Sequence, residues 1–181
     1  MPSLRSPGRR VVLMIAAAVA LVTSCLAVMP ASAADTLLSQ GRTVTASSAE
    51  NVAFPASAAV DGDAGTRWSS AFADPQWIQV DLGATATITQ VSLKWETAYG
   101  EAFEIQTSPN GTTWTPIYST TTGTGGDQTL AVNGSGRYVR MYGTQRSTQY
   151  GYSLWEFQVY RIAGQRSGLQ AGGEGPRGSA R

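Results

Sequence analysis

The run Phe103-Glu104-Ile105-Gln106-Thr107, carried through Ser108-Pro109-Asn110-Gly111-Thr112 into Thr113-Trp114-Thr115-Pro116-Ile117-Tyr118, decides the architecture of this chain. Its first five residues alternate apolar and polar, the period of a strand with one buried face. Asn110-Gly111 then supplies the positive φ that a tight reversal needs, and Trp114 to Tyr118 returns as a second strand. The same signals recur outward from this hairpin. Trp77 to Leu82 alternates, with Ile78, Val80 and Leu82 on the core face. Ile88, Val91, Leu93 and Trp95 belong to a next strand whose spacing departs from clean alternation. Gln128 to Val132, Arg137 to Tyr142 and Leu154 to Tyr160 follow, with a second Asn-Gly turn expected at Asn133-Gly134. No stretch has a helical period beyond a single turn over Ala53 to Val60, and there is no internal repeat. Many short strands with turn-rich links predict an all-β protein, a jelly-roll β-sandwich of about eight antiparallel strands. Trp68, Trp77, Trp95 and Trp114 are expected in its core.

The ends read differently. Arg5, Arg9 and Arg10 precede an apolar, alanine-rich run from Val11 to Val28, and Ala31-Ser32-Ala33 forms a small-x-small cleavage pattern. Residues 1–33 are therefore predicted to be a secretory signal peptide, which makes the protein extracellular. The apolar run is short for a membrane span. Arg9-Arg10 also fits a twin-arginine leader. Val22-Thr23-Ser24-Cys25 is the minor alternative, a lipoprotein anchored through Cys25, although the segment after Cys25 stays apolar. Residues 34–162 are read as the domain. Residues 163–181, rich in Gly, Ser, Arg and Gln and without aromatics, are read as a flexible tail.

Composition narrows the chemistry. The protein has no histidine, which excludes serine–histidine triads, histidine-ligated zinc and histidine general bases. Cys25 is its only cysteine, so no intramolecular disulfide can staple the fold. After the leader, ten basic side chains face twelve acidic ones, and Lys94 is the only lysine. No basic patch points to nucleic acid.

Two distant segments look like halves of one site. Ala58-Ala59-Val60-Asp61-Gly62-Asp63-Ala64-Gly65-Thr66-Arg67-Trp68 gathers hard oxygen donors on a glycine turn. Ser153-Leu154-Trp155-Glu156-Phe157-Gln158-Val159-Tyr160 places one carboxylate inside an apolar strand. A carboxylate among buried residues is costly unless something positive meets it. A calcium ion held by Asp61, Asp63, Thr66 and Glu156 would meet it. The spacing is not that of an EF-hand, because the twelfth position from Asp61 is Phe72.

Taken with Trp77-Ile-Gln-Val-Asp-Leu-Gly83, Thr107-Ser-Pro-Asn-Gly-Thr-Thr-Trp114 and Arg137-Tyr-Val-Arg140, these segments make the chain resemble the discoidin domain over about Leu37 to Tyr160. This is the coagulation factor V/VIII C-type domain, whose bacterial branch includes the family 32 carbohydrate-binding modules. The resemblance implies a jelly roll with a structural calcium. The implied ligands are the Ala58, Asp63, Thr66 and Trp155 carbonyls, the Asp61 and Glu156 carboxylates and the Thr66 hydroxyl. It also implies binding through loops at one end of the sandwich. Four loops qualify: Ser47 to Asn51, Ser70 to Asp74, Trp95 to Gly100 and Thr144 to Tyr152. Phe72, Tyr150 and Tyr152 are candidates to stack on a pyranose ring. Glu50, Arg67 and Glu96 are candidates to hydrogen-bond its hydroxyls, with Arg146 and Tyr99 behind them.

The loop sequences resemble modules attached to bacterial β-glucanases and chitosanases. The implied partner is a polysaccharide or oligosaccharide of β-glucan or chitosan type, and the implied state is a non-catalytic monomer. Two competing functions remain. One is a glycoside hydrolase pairing Glu96 with Glu50 or Glu101, which needs two carboxyls across a cleft. The other is an adhesion module for protein or lipid, for which Phe72 is the one apolar tip the sequence offers.

Overall fold

A computed structural model describes residues 35–162; the leader, Cys25 and the C-terminal tail lie outside the described residues. Eight strands are present: β1 Thr36–Leu37, β2 Thr43–Ala46, β3 Trp68–Ser69, β4 Gln76–Trp95, β5 Gly100–Ser108, β6 Thr115–Thr120, β7 Asp127–Arg146 and β8 Ser153–Arg161. A 3₁₀ turn covers Ala56–Ala59, where the sequence offered one helical turn. All pairings are antiparallel. The hydrogen-bonded order is β1-β8-β4-β7-β5-β6, with β2 added on β4 and β3 on β8.

The two twenty-residue strands organise the molecule. The first half of β4 pairs with β2 and with Tyr138–Gly143 of β7. Its second half pairs with β8 and with the beginning of β7. Register shifts lie between Asp81 and Ala86 and between Ile88 and Gln90. Bulges bend a strand and increase its twist, which lets one strand serve both layers of a sandwich. The shift after Ile88 also explains why Ile88, Val91, Leu93 and Trp95 do not alternate: all four are buried, and the bulge absorbs the extra residue.

Three expectations need correction. The runs at 77–82 and 88–95 are one strand, not two. Those at 128–132 and 137–142 are likewise one. Asn133-Gly134 makes no turn; Gly134 lies opposite Ile88 in β7, and its φ is not positive. A Cβ there would come within 2.7 Å of Ile117 Cγ2, so this glycine serves close packing rather than reversal. Asn110-Gly111 does reverse the chain between β5 and β6, with Gly111 at φ 77°. The Asn110 carboxamide oxygen accepts from the Thr112 and Thr113 N–H groups.

The core takes Ile78, Val80, Leu82, Phe103, Ile105, Val139, Met141, Leu154, Phe157 and Val159 from both layers. Trp68 and Trp95 are buried as expected. Trp77 and Trp114 are only half-buried. Ile78 points inward, so strand alternation turns Trp77 outward. Trp114 lies against the Arg140 guanidinium, 4.1 Å from its ring centroid.

Candidate functional site

The links between strands at one end of the sandwich enclose a cleft of about 330 Å3. Glu50, Arg67, Glu96 and Tyr150 all line it, so four of the eight residues singled out for ligand contact converge there. Ser69, Thr97, Ala98, Thr148 and Ser153 complete the wall. The cleft lies at the small end of the range for ligand sites, ~300–1,000 Å3, and suits a short stretch of a larger molecule.

Each cleft residue is held by its own element. Glu50 is exposed, and its backbone N–H bonds the Ser69 carbonyl at 2.7 Å, docking its loop on β3. Arg67 donates to Ser153 Oγ at 2.7 Å, and its guanidinium lies 3.9 Å from the centroid of the Phe54 ring. Arg67 lines the cleft together with Glu50 and Glu96, and its charge acts on Glu96. Glu96 Oε2 accepts the Ala98 N–H at 3.0 Å. Burial works to raise the Glu96 carboxyl, but the Ala98 and Thr97 hydrogen bonds and the Arg67 charge outweigh it, leaving its pKa below the usual 4.5.

The other four candidates do not line the cleft. Phe72 is exposed and meets Tyr150 edge to face, with centroids 5.6 Å apart and an interplanar angle of 83°. Tyr99 does not line the cleft. Its backbone pairs with Ser147, whose N–H donates to the Tyr99 carbonyl at 3.0 Å, tying two loops together. Arg146 donates to Asp74 Oδ2 at 3.1 Å rather than to the cleft. Tyr152 departs from the stacking role expected of it: its side chain is fully buried, and its hydroxyl donates to Asp74 Oδ1 at 2.5 Å. Burial and the neighbouring Asp74 charge push that phenol well above its ordinary pKa of 10.0.

The sequence reading missed Asp74 as a partner of both Arg146 and Tyr152. It also missed Val52, which is 99% exposed on the Glu50 loop. Phe72 is thus not the lone apolar tip at this end. An isolated valine in a polar loop carries no signal of its own, and Asp74 beside Pro75 reads as an ordinary turn residue.

The second site lies where the two expected segments meet. Thr66 Oγ1 sits 2.8 Å from Asp61 Oδ2 and 3.1 Å from the Asp63 carbonyl oxygen. The Asp63 N–H donates to Asp61 Oδ1 at 2.9 Å, and Gly62 takes φ 82° to close the turn. Glu156, in β8 opposite Lys94, is 4% exposed. Its Oε1 is buried without a hydrogen-bond partner. Burial raises the Glu156 carboxyl, and the Asp61 and Asp63 charges add to this, while the Gly62 N–H and Lys94 oppose it. An orphaned buried carboxylate oxygen whose group feels the charges of two aspartates fits a hard cation. Among the described residues no group of three or more His, Cys, Asp or Glu side chains is arranged to hold a metal unaided. Such an ion would need the Thr66 hydroxyl and the Ala58, Asp63, Thr66 and Trp155 carbonyls as well.

Comparison with known proteins places the chain in a family. The family model for the F5/8 type C domain matches residues 43–157. The chain belongs to that family. Among solved structures, chitosan-binding module 1 of a chitosanase/glucanase from Paenibacillus sp. IK-5 is 49% identical, with a TM-score of 0.68 over 70% of this chain and 99% of that one. Module 2 of the same enzyme, solved with chitotriose, is 45% identical, with a TM-score of 0.67 over 68% of this chain and 99% of that one. The family 32 module of NanJ from C. perfringens, solved with galactose, shares the fold at 23% identity and a TM-score of 0.63, over 70% of this chain and 99% of that one. A curated polysaccharide lyase 8 family protein, HylA of Enterococcus faecalis, is 32% identical over 116 residues, 59% of this chain. This F5/8 type C chain matches only 8% of that lyase's length.

Proposed function

We propose that this F5/8 type C domain is an exported, non-catalytic module that binds a polysaccharide or oligosaccharide of chitosan or β-glucan type in the loop-end cleft. The observation that carries the reading is the convergence of Glu50, Glu96, Arg67 and Tyr150 on one cleft. Two carboxylates offer partners to a protonated amino sugar, the guanidinium donates to hydroxyls, and the tyrosine supplies a face for C–H groups. The two Paenibacillus modules, 45–49% identical, support the chitosan class. The signal-peptide pattern in the sequence of residues 1–33 supports the export part of this reading.

The same two carboxylates fit hydrolysis less well. A glycosidase needs one carboxyl held protonated, with a raised pKa, beside one held ionised. Glu96 is shifted the other way. The exposed tips Val52, Phe72 and Tyr150 would serve a lipid surface, but the sequence of the described residues gives them no run of basic residues to favour anionic headgroups.

The proposal includes a structural calcium ion between the Asp61–Thr66 turn and Glu156. It would supply the positive charge that Glu156 Oε1 lacks and tie the turn to β8. Titration calorimetry against glucosamine, β-glucan and galactose oligomers tests the binding reading. A measurable heat for glucosamine or β-glucan oligomers is expected, and silence across all three would end it.

A further inference from the structure

The Ser70–Pro75 segment and the Arg146–Tyr152 segment carry two exposed rings, Phe72 and Tyr150, and the Asp74 carboxylate of the first bonds two side chains of the second. Asp74 Oδ1 accepts the Tyr152 hydroxyl at 2.5 Å and Asp74 Oδ2 accepts Arg146 Nε at 3.1 Å. Arg146 NH1 then bonds the Gln149 and Tyr150 carbonyls at 3.1 and 3.3 Å, so the guanidinium also folds the loop that presents Tyr150. Tyr152 is fully buried and cannot move without opening the core, while its backbone N–H donates to Ser70 Oγ at 2.9 Å. The Asp74 and Arg146 side chains are 33% and 21% exposed, so water screens the pair only in part. The Ser70 N–H also donates to the Tyr152 carbonyl at 2.9 Å, which pairs the two segments at their base, while farther out the Phe72 and Tyr150 rings meet edge to face.

We propose that Asp74 is a positioning residue for the binding end: its carboxylate, shared between buried Tyr152 and Arg146, holds the two loops in register and so sets Phe72 and Tyr150 as one preformed aromatic platform at the cleft. A platform fixed before the ligand arrives spares the ordering cost that two mobile loops would incur on binding. Tyr152 is the anchor, Arg146 the brace, and Asp74 the link between them. Only the purpose of the platform rests on the saccharide reading; the clamp itself does not.

The test uses the full chain and two readouts. Amide hydrogen exchange compares wild type with Asp74→Ala and Asp74→Asn, with no sugar present. Asp74→Ala is expected to raise exchange over 146–152 by about tenfold or more while the strand amides stay protected. Asp74→Asn, which keeps an acceptor for Tyr152 but loses the charge facing Arg146, should fall between. It also carries the test if the alanine variant does not fold. Unchanged exchange in this segment, or an equal rise throughout the domain, overturns the clamp.

The second readout is affinity for a glucosamine hexamer in a double-mutant cycle with Phe72→Ala. Asp74→Ala should weaken binding about tenfold alone and add little in the Phe72→Ala background, because the platform is already lost. Strictly additive losses would show that Asp74 does not act through the ring pair. A wild-type protein that binds no oligosaccharide would defeat the proposed function, and the exchange result would then decide the clamp alone.

Discussion

On the saccharide reading, Glu96 in the cleft meets a charged amine, and Phe72, outside the cleft lining, extends the apolar face beyond Tyr150. Glu96→Gln keeps the acceptor for the Ala98 N–H but removes the charge. It should weaken glucosamine oligomers by about tenfold and β-glucan oligomers far less, since a charge-assisted hydrogen bond is worth roughly 1.5–3 kcal/mol. Calorimetry on both sugars checks this. The pH dependence follows from the depressed pKa: Glu96 stays ionised down to below 4.5, so amino-sugar binding should persist to that pH before weakening. Two residues at this scale show the limit of sequence. Tyr150 and Tyr152 stand two apart in one loop and read alike, yet the first is 54% exposed and the second 0%. What separates them is space left by distant glycines, including Gly143 on β7, where a Cβ would strike the Tyr152 ring. Local pattern carries no trace of that.

The long strands show the same division at the level of elements. Alternation marked Ile78, Val80, Leu82, Phe103 and Ile105 as core, and all five are buried. The broken rhythm from Ile88 to Val91 left the register open, and the bulge after Ile88 is its cause. The continuity of β4 and β7 around the corner was not legible, because Gly and Asn in a strand look like a turn until a partner is seen beside them. Gly134→Val should destabilise the domain by about 1–3 kcal/mol in urea unfolding, through collision with Ile117. A second element-level test concerns the outer face, where Arg137 bonds Asp81 through Nε and NH2. Arg137 holds the Asp81 carboxyl down at about 2 from an ordinary 3.8. A depressed pKa gives stability that is present above pH 3.8 and is lost as pH falls toward 2. Asp81→Asn should therefore flatten that acid limb in a pH series of melting curves, with only a modest effect near neutrality, because the pair is partly exposed.

For the whole molecule, the absence of a disulfide puts weight on the junction between the Asp61–Thr66 turn and β8. With calcium at 100 times its dissociation constant, linkage gives about 2.7 kcal/mol of stabilisation. Chelation should then lower the melting temperature by about 2–8 °C, and added calcium should restore it. Glu156→Gln should abolish the calcium response. In chelator, the same variant should melt no lower than wild type, because it removes a buried carboxylate whose Oε1 has no hydrogen-bond partner. A calcium-independent melt of the wild-type protein would remove the ion from the account and leave the orphaned oxygen unexplained.

In the sheet, β8 lies between β1 and β4 although it is the last of the described strands. The strand that opens the domain thus waits for a stave made after all the others described, and without it has nothing to lie beside. A growing polypeptide of this design cannot seat that first strand early, and whatever delays the stave delays the closing of the seam.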